Sequence, residues 1–465
     1  MTARADTTTW STGLPVLKGD LLFHDDARRS VATDLGNVVR REPQAVLRPR
    51  SPGDVAAMIT FCRERGITVA ARGQAHTTNG QALTDGLVIE CRSLDEINFT
   101  GPYTVEVGSG VLWKDLAAAA FERTPRLTPP VLTGYTGLTV GGTLSMGGVG
   151  GIVGGLRTGL QVDHVRELEV VTGTGSVERC SPEHGSDLFK AVLGGLGQCG
   201  VITKAVLALV PAKERARTYA LDYTSNPAFF RDLRTAIARP GIDHVYAEVY
   251  PPGAPATHRL LATVLYDPSH APDDRSVTEG LSGETTVEDS TYLDYVFSID
   301  LLIDELRATA GWDRLLKPWY DVWIPGESIE EYLAEIHPSL TSEDLGPYGA
   351  VLIYPQRRDL VGGPYPRLPE PDGSDWAFVL DINTVAETVD TDRRFFDRML
   401  DRNGGLFARA RGEYGAVLYP IGSVRFTAED WREHFGQAWP AFRRAKACFD
   451  PDGILAPGPG IFDGS

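Results

Sequence analysis

Residues 138–159 read LTVGGTLSMGGVGGIVGGLRTG, and the fold turns on what so many glycines are for. A glycine costs up to about 1 kcal/mol against alanine inside a helix or strand, so no ordinary element is expected to be stable through this segment. A flexible linker would be polar, yet Leu138, Val140, Leu144, Met146 and Val149 interleave with the glycines. The other use of such a segment is close approach: backbone N–H groups free of side chains can come up to the phosphates of a dinucleotide. There is no G-x-G-x-x-G after a strand with an acid about 20 residues on, so a Rossmann site is not supported.

Upstream, RGQAHTTNGQAL (72–83) places one histidine, His76, among glycines, alanines and hydroxyl or amide side chains, with no second histidine or cysteine near enough to share a metal. A lone histidine in such a loop is ordinarily a hydrogen-bonded structural residue. The stretch leading to it, SPGDVAAMITFCRERGITVAARG, starts with a capping signal at Ser51, Pro52 and Asp54. It continues with Val55, Met58, Ile59 and Cys62 at the spacing of one buried helical face. A helix and then the strand ITVAA are expected, delivering Arg72 to His76 into the loop that follows. GLVIECRSL, YTVEVGSGVLWKDL and ELEVVTGTGSVERCS repeat short β-rich runs closed by glycine turns.

The chain has 465 residues, 42% of them hydrophobic, which suits a folded enzyme of two or three domains. A net charge of −17, with no Lys/Arg run, argues against nucleic acid and against an anionic membrane surface. The five cysteines are far apart and outside any C-x-x-C spacing, so neither a disulfide framework nor a zinc site is indicated, and no metal is expected. They read as small buried residues in a reducing compartment. No signal-peptide pattern and no run of about 18 apolar residues is present, which points to the cytoplasm. Arginine well in excess of lysine, with abundant Ala, Gly and Pro, suggests GC-rich coding DNA.

After VLALVPAKERAR the composition shifts to longer aromatic strands, HVYAEVY, LLATVLYDP, YGAVLIYP and DWAFVLDIN, alternating with helical stretches such as SIEEYLAEIH and DTDRRFFDRML. A second domain of strands backed by helices is expected over about 213–414, with DLVGGPYPRLPEPDGSD as a surface loop.

The segments RGQAHTTNGQAL, LTVGGTLSMGGVGG, ELEVVTGTGSVERCS, DLFKAVLGGLGQCGVIT and FDPDGILAPGPGIF stand in the order seen in FAD-linked oxidases of the vanillyl-alcohol oxidase superfamily. The chain most closely resembles cytokinin dehydrogenases, also through PWYDVWIP, GAVLIYPQRRD and EDWREHFG in the middle and towards the end. The resemblance implies an α+β, two-domain FAD-binding fold: an FAD domain from residues 1–212 and 415–465, and a substrate domain, 213–414, whose antiparallel sheet, backed by helices, roofs the flavin ring. It implies that His76 is bonded through its ring to the flavin 8α-methyl group. Bicovalent members add a cysteine in the glycine segment; residues 138–159 hold none, so a single link is expected. Arg72, Gly73, Gln74, Ala75 and Thr77, with Gln81 and Ala82, occupy the family's flavin loop. Thr139, Gly141, Gly142, Thr143, Ser145, Gly147 and Gly148 fall in its pyrophosphate and ring segment, and Ile202 where a backbone contact to FAD is usual.

Two positions depart from cytokinin dehydrogenases. Their proton-accepting aspartate aligns with Gly134 in LTGYTGLTVGG, which offers no base, and a glutamate that receives the purine aligns with Phe297 in YLDYVFSID. General base catalysis contributes about 10²–10⁴-fold, so the first loss matters. The expected enzyme takes a hydride from a C–H next to nitrogen or oxygen of a small bacterial secondary metabolite, then passes electrons to O₂ or a quinone. A cytokinin dehydrogenase with a displaced base, and a flavoprotein cyclase without net redox change, are the alternatives. Among Tyr135, Asp294, Tyr295, Asp300, Tyr354 and Arg357, Tyr135 is the expected orienting or proton-accepting group, in a pocket lined by Phe297.

Overall fold

The computed structural model describes residues 10, 12–363, 365–389 and 393–463. Most of the stretch read as lacking a signal peptide, and the first residues of the expected helix DTDRRFFDRML, lie outside the described residues.

The chain folds as α+β in two domains. The first begins as a four-stranded sheet of β1 (Asp20–Leu22), β2 (Ala45–Arg48), β3 (Val69–Arg72) and β4 (Leu87–Glu90), with β4 parallel to both β2 and β3. The helix Pro52–Arg63 that feeds β3 forms as its sequence dictates. Ser51 and Asp54 close a capping box, the Asp54 carboxylate also receives the backbone N–H groups of Lys18 and Gly19, and Val55, Met58, Ile59 and Cys62 are fully buried. Beside this sheet lies a five-stranded antiparallel one, of β5 (Ile97–Gly101), β6 (Thr104–Gly108), β8 (Val165–Val171), β9 (Val177–Cys180) and β10 (Val201–Ala208). A short ladder joins β7 (Leu127–Thr128) to β11 (Val210–Pro211). The C-terminal segment closes the edge of the first sheet: the Val69 N–H donates to Ile454 O at 2.8 Å, and the Ala456 N–H to Val69 O at 2.8 Å. Both ends of the chain therefore build this unit.

The second domain is an eight-stranded antiparallel sheet of β12 (Arg215–Tyr223), β13 (His244–Val249), β14 (His258–Tyr266), β15 (Glu284–Thr291), β16 (Tyr320–Pro325), β17 (Ala350–Arg357), β18 (Trp376–Asn383) and β19 (Val417–Leu418). Their order is β15-β12-β14-β13-β17-β18-β16-β19. Helices Asn226–Ala238, Ile329–Ile336 and Arg393–Tyr414 back one face, where Tyr320 of β16 meets Tyr332 through hydroxyls 2.8 Å apart. Side chains alternate across a strand, so Asp321, next to Tyr320, points to the opposite face. The domain boundaries expected from sequence stay a proposal; the sheet starts at Arg215 and its last short strand follows residue 415.

Three expectations are corrected. A seven-residue helix, Val140–Met146, does run through the glycine segment. Its glycines sit in the first turn, where a Cβ on Gly141 would come within 2.6 Å of the Ser109 Cβ, and Gly147 at φ +114° ends it. Cys448 is exposed while the other four cysteines are buried. The segment 359–375 is not all surface loop, because Tyr365 is buried against Phe435 and Phe442. No helix among the described residues is long and apolar enough to cross a membrane.

Candidate functional site

Between the glycine segment and the open face of the large sheet lies a cavity of about 430 Å³, inside the range of small-molecule sites. One wall comes from the loop after β3. Backbone bonds fix that loop, with the Leu35 N–H donating to Ala75 O at 2.9 Å and the Thr78 N–H to Ile421 O at 2.9 Å, and Ala75 turns it at φ +47°. Beneath it, Asp34 accepts from the Gly80 N–H at 2.6 Å and the Thr77 hydroxyl at 3.2 Å. Burial pushes the Asp34 carboxyl up to about 7 against those bonds.

His76 faces the cavity between the rings of Tyr135 and Trp319, with centroids 5.3 and 5.4 Å away. Burial first, and then the nearby Lys317 and Arg307 cations, push it down to about 3, so the imidazole is neutral. Lys317 is fully buried, donates to the carbonyls of Leu35, Trp312 and Leu315, and is itself pushed down to about 7 by burial.

Arg72, Gly73, Gln74, Ala75, His76, Thr77, Gln81 and Ala82 all line the cavity, as do Thr139, Gly141, Gly142, Thr143, Ser145, Gly148 and Ile202. The glycines are sterically required: a Cβ on Gly73 would overlap the Thr139 hydroxyl. Gly148 adopts φ +73°, where a side chain would be strained. Ser109 presents a buried hydroxyl with no partner to the same wall, the kind of orphaned group a polar ligand satisfies. Gly147 is not part of the lining; it packs where a Cβ would overlap Pro366.

Tyr135 lines the cavity, and its hydroxyl oxygen accepts from Arg307 at 3.1 Å. Gly134 lines it as well, and a Cβ there would meet nothing closer than 3.9 Å, so a side chain would fit and none is used. Phe297 does not line the cavity. It ends the short helix Tyr292–Val296, and the next helix, Ser298–Ala310, turns Ile299, Leu302, Ile303 and Leu306 inward. Phe297 stands two residues before Ile299, about 200° round at 3.6 residues per turn, and packs against the core. The apolar end of the pocket exists, but from that helix.

Of the other candidates, Tyr354 alone lines the cavity. Asp294 caps its helix with Thr291, the Tyr295 hydroxyl lies between His244 and Ile152 O, and Asp300 clamps Thr136. Arg357 is paired with Asp359.

Of the opposite wall, the sequence reading names Tyr354 and the sheet, but none of the other side chains. Tyr246 and Glu248 of β13, Leu352 and Tyr354 of β17, and Asp381 and Asn383 of β18 face the cavity at alternate positions. Register aligns Glu248, Leu352, Asp381 and Asp321 in one row across four strands. The sequence signal is a single acid within each of three apolar strands, β13, β16 and β18, and aligning them needs a register that sequence does not supply.

Residues 43–181 match an FAD binding domain family, and residues 278–462 match the family described as "Cytokinin dehydrogenase 1, FAD and cytokinin binding". An uncharacterized oxidoreductase, ORF5 in the fasciation locus of Rhodococcoides fascians, is 35% identical over 92% of this chain and 96% of its own length. Cytokinin dehydrogenase 6 of Oryza sativa subsp. japonica is 31% identical over 97% and 94%. Among solved structures, 6-hydroxy-D-nicotine oxidase from Arthrobacter nicotinovorans superposes with a TM-score of 0.74 at 20% identity, covering 98% of this chain and 100% of that one. Glucooligosaccharide oxidase from Acremonium strictum, described with a 6-S-cysteinyl, 8α-N1-histidyl FAD, gives 0.70 at 15% identity, covering 94% and 95%. At these identities the two structures establish a shared fold.

Proposed function

The chain belongs to the family of FAD-dependent oxidoreductases that includes the cytokinin dehydrogenases, and on that premise we propose that it removes a hydride from a C–H next to nitrogen or oxygen of a small, partly aromatic or apolar bacterial metabolite, with FAD linked through His76. The observation that carries this reading is the two-walled cavity, one wall built from the glycine-rich loops around His76 and the other from alternate side chains of the large sheet. Its residues fit the cofactor. Gly73 and Gly141 line the cavity where no Cβ could be placed, the Ser109 hydroxyl lacks a partner, and a neutral His76 keeps the ring lone pair that a link to the flavin 8α-methyl needs. The histidyl link of glucooligosaccharide oxidase supports the same role here.

FAD, when bound, supplies a two-electron acceptor for the hydride, which O₂ or a quinone later relieves. The chain's own residues do the rest. Arg72, Gln74, Thr77, Gln81, Thr139 and Ile202 hold the cofactor, and the apolar side chains of helix Ser298–Ala310 exclude water from the far end. Because Arg307 donates to the Tyr135 oxygen, the phenol proton is left to orient a substrate heteroatom. The protein acts in the cytoplasm in this reading.

One observation favours a second reading, a cytokinin dehydrogenase whose base comes from elsewhere: Phe297 stands outside the cavity, so it takes no contact from a purine. An anaerobic panel of benzylic amines, benzylic alcohols and N⁶-isopentenyladenine separates them. Bleaching of the visible flavin band by the benzylic compounds supports the first reading, bleaching by the adenine alone supports the second, and bleaching by none overturns hydride transfer. Acid precipitation tests the link: flavin is expected to stay with the protein, and complete release overturns attachment through His76.

A further inference from the structure

We propose that Asp381, paired across the strands with Asp321, accepts the N–H or O–H proton of the substrate, standing in for the side chain that position 134 lacks. The proposal rests on the hydride-transfer reading. Asp381 and Asp321 are directly opposite in the β18–β16 ladder, which sets Cβ atoms about 4.5–5.5 Å apart on the same face. Asp381 lines the cavity; Asp321 sits behind it, fully buried. Neither makes an ion pair among the described residues, and both Asp321 oxygens and one of Asp381 have no donor. Two carboxyl groups so placed are hydrogen-bonded to each other only if one is protonated. Burial, and for Asp321 the neighbouring carboxyl, raise both groups above the usual carboxylate range. The pair therefore holds one proton and one negative charge, as two close carboxylates cannot both ionise.

The other acids at the cavity are committed. Glu248, which lines it with Asp381, accepts from the Tyr250 hydroxyl at 2.6 Å, and Asp300, outside the lining, accepts from both the N–H and the hydroxyl of Thr136. Around the pair stand Glu248 on β13, Tyr354 on β17, Tyr320 on β16 and Tyr419 after β19, with Arg402 of helix Arg393–Tyr414 beyond Tyr320. Burial raises all three tyrosines, which keeps them protonated. Asp381 is thus the cavity-facing carboxylate left free to take a proton. In the balanced step the C–H leaves as hydride to the bound FAD, the heteroatom proton goes to the Asp381 carboxylate, and a C=N or C=O bond forms as the substrate loses two electrons. Asp321 is a positioning residue: it sets the pH at which Asp381 is ionised.

The test uses the holoenzyme and whichever panel compound bleaches the wild type fastest, by anaerobic stopped flow across pH 5–9. Asp381→Asn is expected to keep the flavin spectrum and slow flavin reduction about 10²-fold or more. Asp321→Ala removes the hydrogen bond that lowers the Asp381 carboxyl, so it is expected to retain the rate at high pH and move the acid limb to higher pH. Infrared titration of the protonated carboxyl band is expected to show the same shift to higher pH in Asp321→Ala, which decides the matter even if Asp381→Asn fails to fold. Wild-type reduction by Asp381→Asn, or an acid limb and carboxyl band unmoved in Asp321→Ala, overturns the proposal alone. A wild type that no panel compound bleaches overturns the hydride-transfer reading and this proposal with it.

Discussion

Along the loop 72–77 and the glycine segment the cavity meets several glycines among side chains such as Arg72, Gln74, Thr139 and Ser145, and its one ionisable ring, His76, is held neutral. Along β13, β17 and β18 it meets tyrosines, a glutamate, an aspartate and an asparagine at every second residue. The first wall interrupts its side chains with glycines so that something extended can lie against it; the second projects a side chain at every alternate position so that something small can be told apart. Both shapes follow from local rules, close approach at glycine on one side and the two-residue period of a strand on the other.

The largest effect expected from this contrast is at Gly141. Valine there would drive a branched side chain into Ser109, whose backbone carbonyl also accepts from the Gly141 N–H at 2.8 Å. The purified variant is expected to carry no FAD by absorbance. Leu352→Ala, on the other wall, is expected to retain FAD and alter only substrate affinity. Equal FAD content in the two variants would erase the distinction between the walls.

The two walls also differ in how far a sequence reveals them. The FAD wall is contiguous: RGQAHT and LTVGGTLSMGG each bring their contacts within a dozen residues, and all of those positions except Gly147 reach the cavity. Gly147 failed because a glycine required for packing against Pro366 looks the same in sequence as one required for a ligand. The sheet wall is assembled from strands scattered between residues 244 and 383, and Asp321 meets Asp381 only through register. Phe297 was misplaced for a related reason: the boundary between two short helices decides which way it points, and boundaries are the least legible feature of a sequence. In the first domain the helix Pro52–Arg63 was readable because its cap and apolar period agree.

A smaller effect is expected where the walls meet, at Tyr135. Tyr135→Phe keeps the ring against His76 and removes the hydroxyl that Arg307 holds. Anaerobic flavin reduction is expected to slow about 10-fold with little change in substrate affinity, the signature of an interaction made mainly in the transition state. An unchanged rate would remove Tyr135 from the chemistry and leave the sheet wall alone in charge of it.

The smallest effect concerns the other buried carboxyl, Asp34, and it sharpens why Asp381 and not Asp34 is assigned a proton transfer. Asp34 is 3% exposed, does not line the cavity and accepts two bonds that tie Thr77 and Gly80 into the flavin loop. With its carboxyl raised from 3.8 to about 7, the folded state holds a proton that the unfolded chain gives up. That contribution is fully present below about pH 4 and is lost as pH rises through about 7, since stability falls wherever the folded state binds more protons. Asp34→Asn keeps an oxygen to accept from Gly80 and cannot ionise. Its Tm is expected to lose this part of the decline between pH 4 and 7, with FAD content unchanged. A decline as steep as in the wild type would mean that Asp34 is ionised throughout, and the flavin loop would then rest on a buried charge beside Arg72 instead of on a neutral acid.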